Sequence, residues 1–204
     1  MRTRNLLVAF LLGAAIAAGL TLALRMSGEQ AAPLRATVVP AGDALPAFNL
    51  LGHDDTAVDG AVFEGQWDLV FFGFTHCPDI CPTTLHTLAQ VRKQLAEQGQ
   101  NPLPRIVLVS VDPERDTPEI MSKYMSAFGD GNLGITGDLE EVSKLTDALG
   151  IYFARAPAAD GDYSIDHSTV VLVINPQGRF RALFSAPHRV EDFVHDLPLI
   201  MGMP

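Results

Sequence analysis

Positive charge is scarce in this chain: 14 lysines and arginines stand against 24 acidic residues in 204. Three of those cations, Arg2, Arg4 and Arg25, flank the first apolar segment, so residues 26–204 carry 11 basic against 24 acidic residues, a net charge of −13. That balance excludes a nucleic-acid partner, which demands a basic surface. It keeps the region soluble and would steer basic protein partners. There is no internal repeat and no low-complexity tract. At this length one membrane element and one globular domain fit, and two large domains do not.

Cysteine is equally sparse: Cys77 and Cys81 are the only two. None follows the N-terminal apolar run, which argues against lipoprotein processing. Long hydrophobic runs are absent except for that one, 19 uncharged residues over 6–24. Such a run has the length to cross a bilayer's hydrocarbon core. Two arginines before it and one directly after it keep the N-terminus in the cytoplasm and export the rest. Ala15-Ile16-Ala17 resembles a signal-peptide cleavage site, but the run continues past it, which favours a retained anchor. The expected organisation is a cytoplasmic tip and transmembrane anchor over residues 1–25 and a flexible linker over 26–43, containing Gly28, Pro33 and Pro40. The globular domain then occupies 44–204, outside the cytoplasmic membrane, in the periplasm.

Strand and helix signals alternate along that domain. The continuous apolar run 68–75 predicts a buried strand, and Leu85, Leu88, Val91 and Leu95 predict a helix over 83–97. A second buried strand is expected over 105–111. Thr117, Pro118 and Glu119 mark the cap, first position and first-turn acid of a helix ending near Phe128. A third helix is expected over 139–149. Residues 168–174 and 179–184 flank the turn-forming Asn175-Pro176-Gln177-Gly178 and predict a hairpin, followed by a helix over 190–197. Residues 48–62 would add a small N-terminal hairpin. The order predicts an α/β thioredoxin-like fold, a central mixed sheet flanked by helices and preceded by the single transmembrane helix.

The cysteines lie in Phe72-Gly73-Phe74-Thr75-His76-Cys77-Pro78-Asp79-Ile80-Cys81-Pro82, between the first buried strand and the first long helix. If that segment is helical, a spacing of four puts both sulfurs on one face. A helix N-terminus favours thiolate through its free N–H groups and dipole. A permanent disulfide is the rival reading, but closing so short a loop constrains few unfolded conformations. Two thiolates are an incomplete metal site for most proteins, and the chain has six histidines to complete it. His76 adjoins Cys77 and is expected to point away, as is His86 on the helix. His53, His188 and His195 have no local partner that singles them out. His167, in Tyr163-Ser164-Ile165-Asp166-His167-Ser168, precedes the C-terminal hairpin in a region that abuts the cysteine helix in a thioredoxin fold. Two sulfurs and one nitrogen suit monovalent copper, whereas divalent copper would recruit further ligands. Zinc would require a fourth. Spacing alone leaves an ordinary surface or core histidine as good a reading of His167 as a ligand. Asp166 and Asp112 are candidate acceptors to orient it, or else turn and surface residues.

Taken with Ser110-Val111-Asp112-Pro113-Glu114-Arg115-Asp116-Thr117-Pro118 and Asp166-His167-Ser168, the cysteine segment resembles the Sco/SenC family of membrane-anchored copper proteins. The likeness runs from about Pro46 to Leu197 and includes the anchor. It implies that Cys77, Cys81 and His167 bind copper and that the protein assists maturation of the binuclear copper A centre of cytochrome c oxidase subunit II. Other periplasmic copper carriers and thiol reductases are further expected partners. Phe74 departs from the tyrosine common in the family by one hydroxyl and leaves the ligands untouched. An alternative function is thiol-disulfide exchange through a Cys77–Cys81 redox pair acting on the oxidase subunit or a copper partner. A redox sensor is a third. Met201 and Met203 read as an apolar tail rather than soft ligands.

Overall fold

The structure, a computed structural model, describes Gly13, residues 35–157 and residues 163–203. The chain divides into two compact units, Met1–Ala32 and Pro33–Pro204, and every named strand and helix belongs to the second. The expected anchor over 6–24 lies outside the described residues, Gly13 excepted. Among the described residues no helix is long and apolar enough to cross a membrane.

The first strand, β1 (Ala36–Ala44), takes in residues 36–43 of the segment expected to be linker. It lies at the edge of the sheet, with a register shift between Val38 and Asp43 that spans Pro40. An edge position and a bulge are where a strand tolerates proline, and that proline is what concealed the strand in the sequence. The Asp196 carboxylate secures its entry by accepting from the N–H groups of Arg35 and Ala36. Next, β2 (Leu50–Gly52) and β3 (Ala57–Val58) form the expected small hairpin.

The core is built from two continuous apolar strands. β4 (Asp68–Gly73) is buried at all six positions and pairs in parallel with β5 (Arg105–Ser110), from Asp68 opposite Arg105 to Gly73 opposite Ser110. Between them α1 (Ile80–Glu97) buries Leu85, Leu88, Val91 and Leu95 as their spacing predicts, starting three residues before the expected 83. Beyond β5, α2 (Pro118–Ser126) starts with the Thr117 side chain capping the Ile120 N–H. β6 (Leu133–Thr136) has no clear sequence signal because it contains Gly134, where a Cβ would lie 3.1 Å from the Met121 side chain of α2. α3 (Leu139–Leu149) follows as expected and stops at Gly150, whose φ of 66° is left-handed.

β7 (Phe153–Pro157) and β8 (Tyr163–His167) form an antiparallel ribbon separate from the main sheet. β9 (Val171–Ile174) and β10 (Arg179–Phe184) make the expected hairpin, and α4 (Val190–Met201) continues past the expected end at 197. Met201 thus belongs to a helix and packs against the core rather than lying in a tail. The main sheet runs β1-β10-β9-β4-β5-β6-β2-β3, parallel through β4, β5 and β6 and antiparallel elsewhere. α1 packs on α4, and α2 on β6. This is the thioredoxin-like α/β arrangement that the order of elements predicts. Its central strand, β4, delivers the chain directly into the cysteine segment.

Candidate metal centre

Where β4 ends, Gly73 leaves space that any side chain would fill: a Cβ there would lie 2.8 Å from Cys81 Sγ and 3.0 Å from the Phe71 ring. The chain then turns through Phe74 to Asp79 before α1 begins at Ile80. Cys81 therefore sits in the first helical turn while Cys77 lies ahead of the helix, so the two sulfurs meet through the turn and not along one helical face. Asp79 makes no side-chain cap bond. Instead the Cys81 N–H donates to Cys77 Sγ at 3.4 Å, so the sulfur satisfies one of the free donors of the helix start.

This arrangement divides the pair electrostatically. Hydrogen bonding from the Cys81 thiol holds the Cys77 thiol well below its ordinary range, with help from backbone N–H groups and against the opposing effect of burial. Cys81 is raised for the complementary reasons: it donates to Cys77 and is fully buried. Both thiols are free and buried, Cys81 completely and Cys77 with 9% exposure beside the opening of the site.

His167 closes the site from the end of β8, where it pairs with Phe153. Its Nε2 lies 3.4 Å from Cys81 Sγ, and its Nδ1 lies 3.0 Å from the Ser168 carbonyl. A carbonyl only accepts, so Nδ1 carries the proton and Nε2 presents its lone pair to the sulfurs. The edges of Phe71 and Phe74 pack against the ring, with centroids 5.7 and 5.9 Å away. The three donor atoms all lie within 4.8 Å of one another. The site opens to solvent past Phe74, Pro78, Ile80 and Asp166.

The other histidines do not join the pair. His76 Nδ1 is 3.1 Å from Thr75 Oγ1 and 3.7 Å from the Asp116 carboxylate, and its ring is half exposed. His86 packs on Phe128, and His53 accepts from the Gly134 N–H. His188 and His195 bond to the Thr169 carbonyl and to Asp196. The two candidate orienting aspartates do other things. Asp112 accepts from Arg115 and Tyr163, Asp166 is exposed, and the Ser168 carbonyl is what fixes the imidazole.

Residue-by-residue reading overlooked the support beneath the site. Fully buried Asp116 accepts from Thr75 Oγ1 at 2.5 Å, Thr75 N at 3.0 Å and Ser110 Oγ at 2.6 Å. Arg115 stacks on Tyr163, its guanidinium 3.8 Å from the ring centroid. The signal that would have found them is the density of Asp, Arg, Ser and Thr over 110–118, beyond what a strand-to-helix turn requires.

A family model described as SCO1/SenC matches residues 37–202. A putative copper-binding protein from Stutzerimonas stutzeri is 36% identical over 164 residues, 80% of each chain. The human mitochondrial SCO2 homolog is 40% identical over 199 residues, 94% of this chain and 72% of that one. Among solved structures, copper-bound ScoI from Arabidopsis thaliana superposes with a TM-score of 0.73 at 31% identity, covering 77% of this chain and 97% of that one. Copper-bound ScoI from Bradyrhizobium japonicum gives 0.67 at 34%, covering 76% and 98%.

Proposed function

This chain belongs to the SCO1/SenC family, and from that premise we propose that it carries one copper ion on Cys77, Cys81 and His167 and delivers it during assembly of cytochrome c oxidase. The observation that carries the reading is the meeting of the chain's only two thiols with one imidazole nitrogen, all three within 4.8 Å. Two soft sulfurs and a nitrogen form a trigonal set suited to monovalent copper. The low thiol of Cys77 and the fixed lone pair of His167 Nε2 are both ready to ligate. Copper is cargo here, so a shell short of four ligands has a use: an incoming ligand can attack the open side and take the ion by exchange. Divalent copper would add oxygen or nitrogen ligands from solvent at the same opening.

The receiving protein is subunit II of the oxidase, at its binuclear copper A centre, with other periplasmic copper carriers as donors. The run 6–24 holds the domain to the cytoplasmic membrane as a single-pass anchor, with the C-terminal domain in the periplasm. The net −13 of that exported part suits encounter with basic partner surfaces.

The test loads the reduced full chain anaerobically with monovalent copper and compares wild type, Cys77→Ser and His167→Ala by stoichiometry and X-ray absorption. One ion in a shell of two sulfurs and one nitrogen, lost or altered in both variants, is the expected result. Absence of tight binding by the reduced wild type would overturn it. A second reading, thiol-disulfide exchange, draws support from the asymmetry of the pair, a lowered thiol lining the opening of the site beside a raised, fully buried one. In that case His167→Ala would leave oxidase maturation intact.

A further inference from the structure

His167 reaches the cysteines on a ribbon that shares no hydrogen-bond ladder with the main sheet. Sheet register therefore does not set the distance between its imidazole and the sulfurs, and some other contact must. At the end of the ribbon nearest the site, Tyr152 and Ser168 exchange bonds of 2.8 and 2.9 Å that join its two strands to each other, while buried Ile165, midway along β8, packs into the core. The far end is gripped at Tyr163. Its ring lies between the guanidinium groups of Arg115 and Arg155, at 3.8 and 4.4 Å, and its hydroxyl donates to fully buried Asp112 at 2.7 Å. Arg115 also donates to the Tyr163 carbonyl, and Arg155 pairs with Glu114 at 2.6 Å.

Asp112, Glu114 and Arg115 belong to the segment from the end of β5 to the start of α2, the same segment whose Asp116, itself bonded by Ser110, holds Thr75 in the cysteine segment. We propose that this loop, residues 110–116, is a brace that fixes the imidazole-to-sulfur distance by gripping both ligand-bearing segments, with Tyr163 as the positioning residue on the ribbon side. A strand rises about 3.3 Å per residue, so the grip at Tyr163 acts roughly 13 Å along β8 from His167. Held at Tyr163 and at buried Ile165, the ribbon cannot swing. Released at Tyr163, it turns about Ile165, midway between Tyr163 and His167, and carries His167 with it. The Arg155–Glu114 pair is exposed and contributes little by itself; the aromatic sandwich and the bond to a buried carboxylate are what grip.

The inference rests on the reading of His167 as a copper ligand, and its test separates the two. In the metal-free full chain, Tyr163→Leu is expected to raise amide hydrogen exchange across β7 and β8 while β4, β5 and β9 keep their protection. Unchanged exchange in the ribbon overturns the brace, whatever copper does. With monovalent copper, Tyr163→Leu should weaken binding by roughly 10–100-fold, the range for residues that orient a ligand, and remove the nitrogen from the absorption spectrum. It should do neither in a His167→Ala background. Tyr163→Phe, which keeps the ring between the arginines, should restore most of the affinity. An equal loss in the His167→Ala background would overturn positioning through His167. A wild type lacking the nitrogen ligand would instead sink the copper-site reading, with the exchange experiment still deciding the brace.

Discussion

The two ends of the β4–β5 pair each bury a carboxylate and use it differently. At the N-terminal end, Asp68 accepts from Arg105 at 2.7 and 3.1 Å, joining two residues already opposite each other in the ladder. At the C-terminal end, Asp116 takes its hydrogen bonds from neutral donors, the Thr75 amide and the Thr75 and Ser110 hydroxyls. The first carboxylate meets a cation where backbone pairing has already set the geometry. The second holds a loop that no ladder reaches, where directional bonds from several sides are needed to give one conformation. The ligands gather at the second end, outside the carboxyl edge of parallel strands, where helix N-termini also converge. One end of the strand pair serves the fold, and the other serves the site.

Removing the cation at the first end should have the largest effect on stability and none on the metal. Arg105→Met leaves Asp68 buried without its partner, a loss of about 3–5 kcal/mol, or roughly 6–20 °C in melting temperature. Copper affinity should match wild type in a competition assay, and a parallel loss of affinity would break the division between the ends. Gly73→Ala at the other end should cost less, about 1–3 kcal/mol of overpacking, yet weaken copper binding, because the added carbon displaces Cys81 Sγ. Calorimetry paired with copper titration checks it. If stability falls while affinity holds, the sulfur has room that the geometry denies it.

The last effect is one of pH. Burial outweighs the pairing with Arg105 and pushes the Asp68 carboxyl up to about 6 from 3.8. The folded state then binds more protons than the unfolded state between those values, so the contribution of Asp68 is fully present below about pH 4 and is lost as the pH rises through about 6. Urea unfolding of wild type against Asp68→Asn at pH 4, 5, 6 and 7 isolates this group from the other carboxylates. The difference should move against the wild type as pH rises, and the opposite slope would show that Arg105 prevails over burial.

Elements whose signals are local were legible. β4 and β5 read as continuous apolar runs, Thr117-Pro118-Glu119 marked the start of α2, and Asn175 to Gly178 marked the turn of the β9–β10 hairpin. Elements supported from elsewhere were not. β1 contains a proline that only an edge position tolerates, and β6 contains a glycine needed for the approach of Met121. The β7–β8 ribbon, Phe-Ala-Arg-Ala-Pro against Tyr-Ser-Ile-Asp-His, has one buried residue, Ile165, with Phe153 and Tyr163 partly buried against the core, too few apolar positions to read as strands, and it takes further support from the segment before α2. In the site, the cysteine pair and its place at a strand-to-helix junction were plain. His167 was one of six histidines, and family resemblance chose it where spacing could not.

By itself, then, the sequence determined the chemistry on offer: two thiols four residues apart at a helix start. Propensity, capping and hydrophobic run length act over a few residues, and those features need no more. The tertiary structure decided which imidazole meets the sulfurs, which carbonyl fixes its tautomer and which loop holds both segments. Cys81 and His167 stand 86 residues apart in the chain, and no local preference acts across that distance. Their meeting depends on how a detached ribbon docks on the end of the sheet, through buried Ile165 and through Tyr163 against Arg115 and Asp112.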